Sequence, residues 1–173
     1  KDFERWSVSY NQAVLGSVDI SKGKYPIAEL GNILSMVQYG SSEKATTGKI
    51  GIPVIRMNNI VDGVFDLSDL KYIRLSQRDL ERLLLKDGDI LFNRTNSKEL
   101  VGKCAVFHEK DDYIFASYLI RIRAEESKAD PDYVSFVMNN RIGRQQINAL
   151  SRQIIGQANV NSQELRSLRL PLP

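Results

Sequence analysis

A chain of 173 residues fits a single hydrophobic core, and one domain is expected. Apolar residues make up 42% and charged residues 26%, the usual balance of a globular domain, which excludes disorder over most of the length. The net charge of +3 permits a polyanionic partner without demanding one. No run approaches the ~20 apolar residues that span a bilayer, and no charged-apolar-small leader opens the sequence, so a cytoplasmic protein with no membrane partner is expected.

The chain opens Lys1-Asp2-Phe3-Glu4-Arg5-Trp6 with no initiating methionine, which fits an excised piece or a processed start. Residues 1–24 read as an N-terminal linker or extension closing on Ser21-Lys22-Gly23-Lys24; Trp6, Val8 and Tyr10 fit either a short strand or an interaction tail. The compact domain is placed at 25–173, beginning at Tyr25-Pro26. After Leu30, Ile33, Leu34 and Val37, residues 40–49 form a polar segment bounded by glycines, which reads as a surface loop. Residues 50–57 resume a β-rich run in which Pro53 suits an edge strand or a strand start.

Ser76-Gln77-Arg78-Asp79 carries the clearest helix signal: a serine N-cap with an acid three residues on, flanked by Leu75 and Leu80. Leu80, Leu83 and Leu84 keep helical spacing, and Gly88 is positioned to end the helix. Ile90-Leu91-Phe92 predicts a short strand. Residues 103–107 and 113–123 predict two more β runs, antiparallel neighbours across the charged turn His108-Glu109-Lys110-Asp111-Asp112. Asp130-Pro131 opens a second helix with Val134, Val137 and Met138 facing inward, and a third runs from about Arg141 to Leu150. The tail ends Leu168-Arg169-Leu170-Pro171-Leu172-Pro173, a short strand or extended piece stopped by prolines. The expected fold is α/β of α+β character: a single, mixed, largely antiparallel-strand domain with three or so helices.

Catalytic patterns are thin. Thr47-Gly48-Lys49 lacks the glycine and the following Ser or Thr that a phosphate-binding loop requires; Glu43 and Ile50 stand there instead. His108 and Cys104 are the sole residues of their types, so a His/Cys metal site is excluded by count. Cys104, within an apolar alternating run, reads as a buried structural thiol, and His108 as a solvated turn residue. An acid followed by Glu-x-Lys, as in Asp112 with Glu126-Ser127-Lys128, is the residue set of a metal-dependent nuclease, though here it lies in a polar approach to a helix. No Asn/Asp-Pro-Pro-Tyr/Phe tetrapeptide for adenine methylation occurs. No cofactor is expected.

Three polar segments, by contrast, combine short hydrogen-bonding side chains with Lys and Arg, the mix that grips phosphates and reads base edges. The first holds Ser41, Ser42, Lys44, Thr46, Thr47 and Lys49. The second, directly after a predicted strand, is Asn93-Arg94-Thr95-Asn96-Ser97-Lys98, and the third contains Arg152, Gln153 and Gln157. Arg forks onto guanine O6 and N7, and Asn or Gln pairs with adenine, so Arg94, Asn96, Gln153 and Gln157 have base-reading chemistry. Arg141, Arg144 and Arg152, taken as one face of the third helix, suit a phosphate backbone. Solvation of a loop or helix face explains any one of these residues equally well.

The ordered motifs say more than any single one. Tyr25-Pro26-Ile27-Ala28-Glu29-Leu30-Gly31 is followed by Ile52-Pro53-Val54-Ile55-Arg56-Met57-Asn58-Asn59-Ile60. Gly88-Asp89-Ile90-Leu91-Phe92-Asn93-Arg94-Thr95-Asn96-Ser97, Val101-Gly102-Lys103 and Ser117-Tyr118-Leu119-Ile120-Arg121 come next, and Asn159-Val160-Asn161 precedes the Leu-Pro-Leu-Pro end. In this order, over residues 25–173, the chain resembles a target-recognition domain of the specificity subunits of type I restriction-modification enzymes. The resemblance implies a domain without its own catalysis that docks on double-stranded DNA and reads one half-site. It implies as partners a DNA adenine methyltransferase subunit or domain and a second recognition domain in the same or another chain. It places Arg56 and Asn58 beside the first variable loop, Lys103 near a phosphate, Gly102 at a close approach, and Gly88 and Asp89 in a turn before a strand. One recognition domain is present, and the long spacer helix of the family does not follow Pro173, so a half-length subunit, an excised piece and a fused single-chain methyltransferase all fit.

Overall fold

The computed structural model describes residue 20 and residues 23–97, 100–154 and 157–173; at residues 96, 152–154 and 157 it describes the backbone alone. Most of the expected linker, with Trp6, Val8 and Tyr10, lies outside the described residues.

In chain order the strands and helices are β1 (Ile27–Glu29), β2 (Leu34–Tyr39), β3 (Ile52–Ile55), β4 (Ile60–Val61), β5 (Val64–Phe65) and β6 (Lys71–Ile73). Helix α1 (Gln77–Leu83) precedes β7 (Ile90–Asn93), β8 (Thr95–Asn96), β9 (Cys104–Val106), β10 (Ile114–Phe115) and β11 (Leu119–Ala124). Then come α2 (Pro131–Asn139), α3 (Arg141–Leu150), β12 (Arg152–Ile154), β13 (Gln157–Asn159), α4 (Ser162–Arg166) and β14 (Arg169–Pro171).

The organising element is an antiparallel sheet in the order β2-β11-β7-β9. Alternation along its strands sends Ile90, Phe92, Cys104, Ile120 and Ile122 to one core, where Val134, Val137, Met138 and Ile147 of the helices meet them. Leu91, Ala105 and Leu119 point to a second core shared with Val54, Ile55, Ile114, Phe115 and Leu83. A sheet covered on both faces needs apolar residues at nearly every position, and Ile90, Leu91 and Phe92 are all buried. The class is as expected, α+β with mostly antiparallel pairing, and the described residues contain four α-helices.

The caps form at the sequence signals. Ser76 Oγ accepts from the Asp79 amide at 3.1 Å, and the Asp79 carboxylate takes the Ser76 hydroxyl in return at 2.7 Å. Asp130 accepts from the Tyr133 amide, with Pro131 at the first helical position, and Asn140 caps α3. The last strand, β14, pairs antiparallel with the first, β1.

Three expectations are corrected. The β runs at 103–107 and 113–123 are not neighbours: β7 lies between β9 and β11, and residues 114–115 leave for a second sheet, β10-β3-β6. β7, buried at all four residues, takes an inner position beside β11. Pro53 is the second residue of β3, in keeping with a strand start, but β3 is the middle strand of that second sheet and not an edge; parallel β10 pairs with Val54 and Ile55, so no residue of β10 stands opposite Pro53. Helix α1 ends at Leu83, before Gly88. The chain turns extended at Leu84, where the Leu85 amide donates to the Tyr113 carbonyl and the Arg82 and Leu84 carbonyls accept from Arg121. Gly88, at φ +79°, serves the turn that delivers Asp89 to β7.

Asp89 has no solvent exposure, and its carboxylate is saturated with donors: the Lys86 amide at 2.9 Å, Arg121 Nη1 at 3.2 Å and Arg123 Nε at 2.7 Å. Arg121, also buried, donates to Gln38 across the β2-β11 pair and stacks 5.3 Å over the Phe115 ring. Burial lowers the Arg121 pKa, and the Asp89 charge opposes that shift. Cys104 is buried beside Ser135, and desolvation pushes its thiol up to about 12, as a structural thiol requires. His108 does more than face solvent: Nδ1 meets Asp87 at 2.8 Å and Nε2 lies 3.3 Å from Asp132, joining the β9-β10 loop to α2.

Removing one partner from a buried ion pair strands the other charges, so Asp89→Ala should lower the urea unfolding free energy by about 3–5 kcal/mol; a loss below about 1 kcal/mol would contradict the clamp. The Asp87 and Asp132 hydrogen bonds raise the His108 pKa. That stabilisation is complete below the unfolded value of about 6.5 and is lost as pH rises through the higher folded value. An NMR titration of the imidazole should give a midpoint above 6.5 that falls in Asp87→Asn; identical midpoints in the two proteins would exclude the bridge.

Candidate nucleic-acid interface

Strand direction decides which loops meet. In an antiparallel sheet, the C-terminal ends of β2 and β7 and the N-terminal starts of β11 and β9 lie at one end, and the register agrees: Tyr39 stands opposite Ile120, and Asn93 opposite Leu119. The first and second polar segments therefore leave from the same end. The third is brought there by strand pairing: β8 aligns Thr95 with Asn159 and Asn96 with Ala158, and β13 carries β12 behind it.

The first segment is pinned at two points. The Ser41 amide donates to the Phe115 carbonyl and the Ser41 carbonyl accepts from the Ser117 amide, while Thr46 exchanges backbone hydrogen bonds with Tyr72. Between these pins, Ser42 and Lys44 are exposed, as are Thr46, Thr47 and Lys49. Ser41, Lys44, Arg56, Asn58, Lys71 and Tyr118 line a concavity of about 380 Å³. Its lining carries three cationic side chains, Lys44, Arg56 and Lys71, against one carboxylate, Glu43. Arg56 is held in place by Asp69, with Nη2 2.8 Å from Oδ2, and Asn58 is exposed beside it.

Arg94 sits at the junction of the three segments. Its guanidinium lies 5.0 Å over the Tyr39 ring, and Nη2 donates to Asn159 Oδ1 at 3.3 Å. Its amide donates to the Tyr118 carbonyl, and its carbonyl accepts from the Val160 amide. The Tyr39 hydroxyl accepts from the Ser162 amide at the start of α4. Stacking and hydrogen bonding thus fix an arginine fork before any ligand arrives.

Other candidates are placed differently. Asn93 is buried and donates to the Leu100 carbonyl at 3.2 Å, which makes it a loop brace. Arg144 turns inward to the Val101 carbonyl at 2.5 Å, and burial lowers its pKa. Lys103 lies 4.0 Å from Asp62. Arg152 begins β12 and does not extend the face of α3, whereas Arg141 is exposed at the start of α3. Thr95 and Ser97 are half-buried; Asn96, Gln153 and Gln157 are positioned by their backbones on β8, β12 and β13, and Lys98 lies outside the described residues. Gly102 makes the expected close approach: a Cβ there would stand 2.5 Å from Ile147 Cγ2.

Sequence reasoning missed Tyr39, Tyr118 and Lys71 as site residues, while Asn159 stood at the end of the third polar segment. An aromatic residue next to a small-residue break at a strand end, as in Tyr39-Gly40-Ser41 and Ser117-Tyr118, was the available signal for two of them. Lys71 gives none. The nuclease set finds no support: Lys128 is bound to Glu125 at 2.6 Å and to the Asn32 carbonyl, and among the described residues no group of three His, Cys, Asp or Glu could hold a metal ion.

Comparison with known proteins gives a consistent answer. A family model described as the type I restriction modification DNA specificity domain matches residues 20–173. A provisionally named type I restriction enzyme MjaX specificity subunit of Methanocaldococcus jannaschii is 28% identical over 151 residues, 86% of this chain and 36% of the relative. The type I restriction enzyme EcoKI specificity subunit of Escherichia coli K12 is 28% identical over 145 residues, 82% of this chain and 31% of the relative. The chain thus spans about a third of these relatives' length. A solved HsdS subunit from Thermoanaerobacter tengcongensis shares the fold with a TM-score of 0.62 at 18% identity, covering 88% of this chain and 38% of that one. A chain from a solved type I R-M system gives 0.63 at 16% identity, covering 87% and 39%.

Proposed function

The chain belongs to the type I restriction modification DNA specificity domain family, and from that premise we propose that it reads a short duplex DNA sequence with the sheet end that gathers residues 41–49, 93–97, 152–154 and 157–159. The observation that carries this reading is the convergence of three polar segments, far apart in sequence, around Arg94 on its Tyr39 platform.

Division of labour follows from chemistry. Arg94, Asn96, Gln153 and Gln157 are the base readers, since each offers two polar atoms to one base edge. Lys44, Arg56 and Lys71 hold phosphates, with Ser41, Ser42, Thr46, Thr47, Lys49 and Asn58 on the neighbouring segments, and Arg141 at the start of α3 is a further phosphate contact. A preordered guanidinium loses little side-chain entropy on contact, which favours Arg94 as the central reader. The domain recognises and does not catalyse. It acts as one half-site reader for an adenine methyltransferase subunit or domain, with a second recognition domain reading the other half; the names of its relatives, specificity subunits of type I restriction enzymes, support the recognition role alone.

Selection of bound duplexes from a random pool at moderate salt tests the reading, with enrichment of a few defined base pairs expected. Salt-dependent binding without sequence enrichment would overturn it. On the selected duplex, Arg94→Ala should cost about 1–3 kcal/mol and relax preference at one base pair, with its unfolding midpoint preserved; a lowered midpoint with unchanged preference would make Arg94 a brace. Lys44→Ala combined with Lys71→Ala should weaken every duplex alike and reduce the log-log salt slope by about 1.8; an unchanged slope would remove both from the phosphate contacts.

A further inference from the structure

A second face of the molecule has opposite character. The tip of the β4-β5 hairpin, the outer side of α2 and the start of the β9-β10 loop enclose a concavity of about 470 Å³. Its apolar part is unusually open to solvent: Phe136, midway along α2, is 68% exposed and Val64 64% exposed. The hairpin that presents Val64 turns through Asp62 and Gly63, both at positive φ, and is anchored underneath by the edge-on contact of Phe65 with Phe107. Two large apolar side chains are therefore held out on a fixed frame.

Carboxylates predominate around them, with Lys103 4.0 Å from Asp62 and His108 3.3 Å from Asp132 as their basic neighbours. Asp62, Glu109 and Asp132 line this concavity, with His108 and without any lysine or arginine. The concavity beside Arg94 has three cationic side chains in its lining. A carboxylate-rimmed apolar surface repels a phosphate backbone, and an exposed apolar centre within a polar rim is the anatomy of a protein interface.

We propose that this face is a docking site for a protein segment that inserts an aromatic or branched aliphatic side chain between Phe136 and Val64 and flanks it with lysine or arginine. The side chain fills the apolar centre, and its cationic neighbours meet Asp62, Glu109 and Asp132. The site shares no lining residue with the concavity that Lys44, Arg56 and Lys71 line, so a partner held there leaves those cations open to DNA. The inference stands independently of the DNA reading.

The probe is a phage-displayed library of random twelve-residue peptides, panned against the whole chain. Enriched peptides should combine an aromatic or branched aliphatic residue with at least two lysines or arginines. Phe136→Ser and Glu109→Lys, both at exposed positions, should each weaken the enriched peptides by about tenfold or more, with duplex binding unchanged. Absence of enrichment, or peptides that bind both variants as well as the parent, would overturn the proposal. So would a loss of duplex binding in the variants, which would make this face part of the DNA interface, or sedimentation as a dimer that Phe136→Ser abolishes, which would make the occupant a second copy of the chain.

Discussion

The Asp89 carboxylate, removed from water and surrounded by donors, sets the position of everything that follows it. Its three hydrogen-bonding partners lie on the turn before β7 and on β11, and Arg121 carries the link on to β2 and to the carbonyls at the end of α1. A buried charge tolerates little displacement, because each lost contact leaves desolvation uncompensated. The clamp therefore fixes the relative heights of β2, β11 and β7, and Tyr39, Tyr118 and Arg94 follow within one, three and five residues of Gln38, Arg121 and Asp89. A polar clamp deep between two apolar cores is in this way coupled to the geometry of a surface cluster that it does not touch.

The two faces of the molecule follow from the same sheet. Strands that rise from the clamp deliver polar loops with Lys and Arg to one end, while α2 and the β4-β5 hairpin carry an apolar, acid-rimmed concavity elsewhere. Unlike linings with no shared residue would let one small domain hold a polyanion and a second partner at once. Net charge alone, at +3, conceals this separation.

Local structure was legible in the sequence and long-range pairing was not. Ser76, Asp130 and Pro131 announced α1 and α2 because capping is a matter of a few adjacent residues. The order β2-β11-β7-β9 was hidden, since apolar runs of similar length do not state their neighbours; the run at 113–123 even divides between two sheets at Ser117-Tyr118. At the candidate interface, the three polar segments were visible as composition, and the resemblance supplied the order of motifs. Their meeting depends on β8 pairing with β13, a contact across some sixty residues of sequence. Asn93 and Arg144 were opaque for a related reason: their polarity suggested a ligand, and in the fold they also donate to the carbonyls of Leu100 and Val101.

The most direct test of the central claim, that one end of the sheet is the DNA-reading face, is amide hydrogen exchange measured with and without a duplex selected by the chain. Slowed exchange should concentrate in residues 41–49, 93–98 and 152–159, with the hairpin at 61–64 and the outer face of α2 unchanged. Protection centred on that hairpin and helix, with the three polar segments exchanging as in the free chain, would contradict the account.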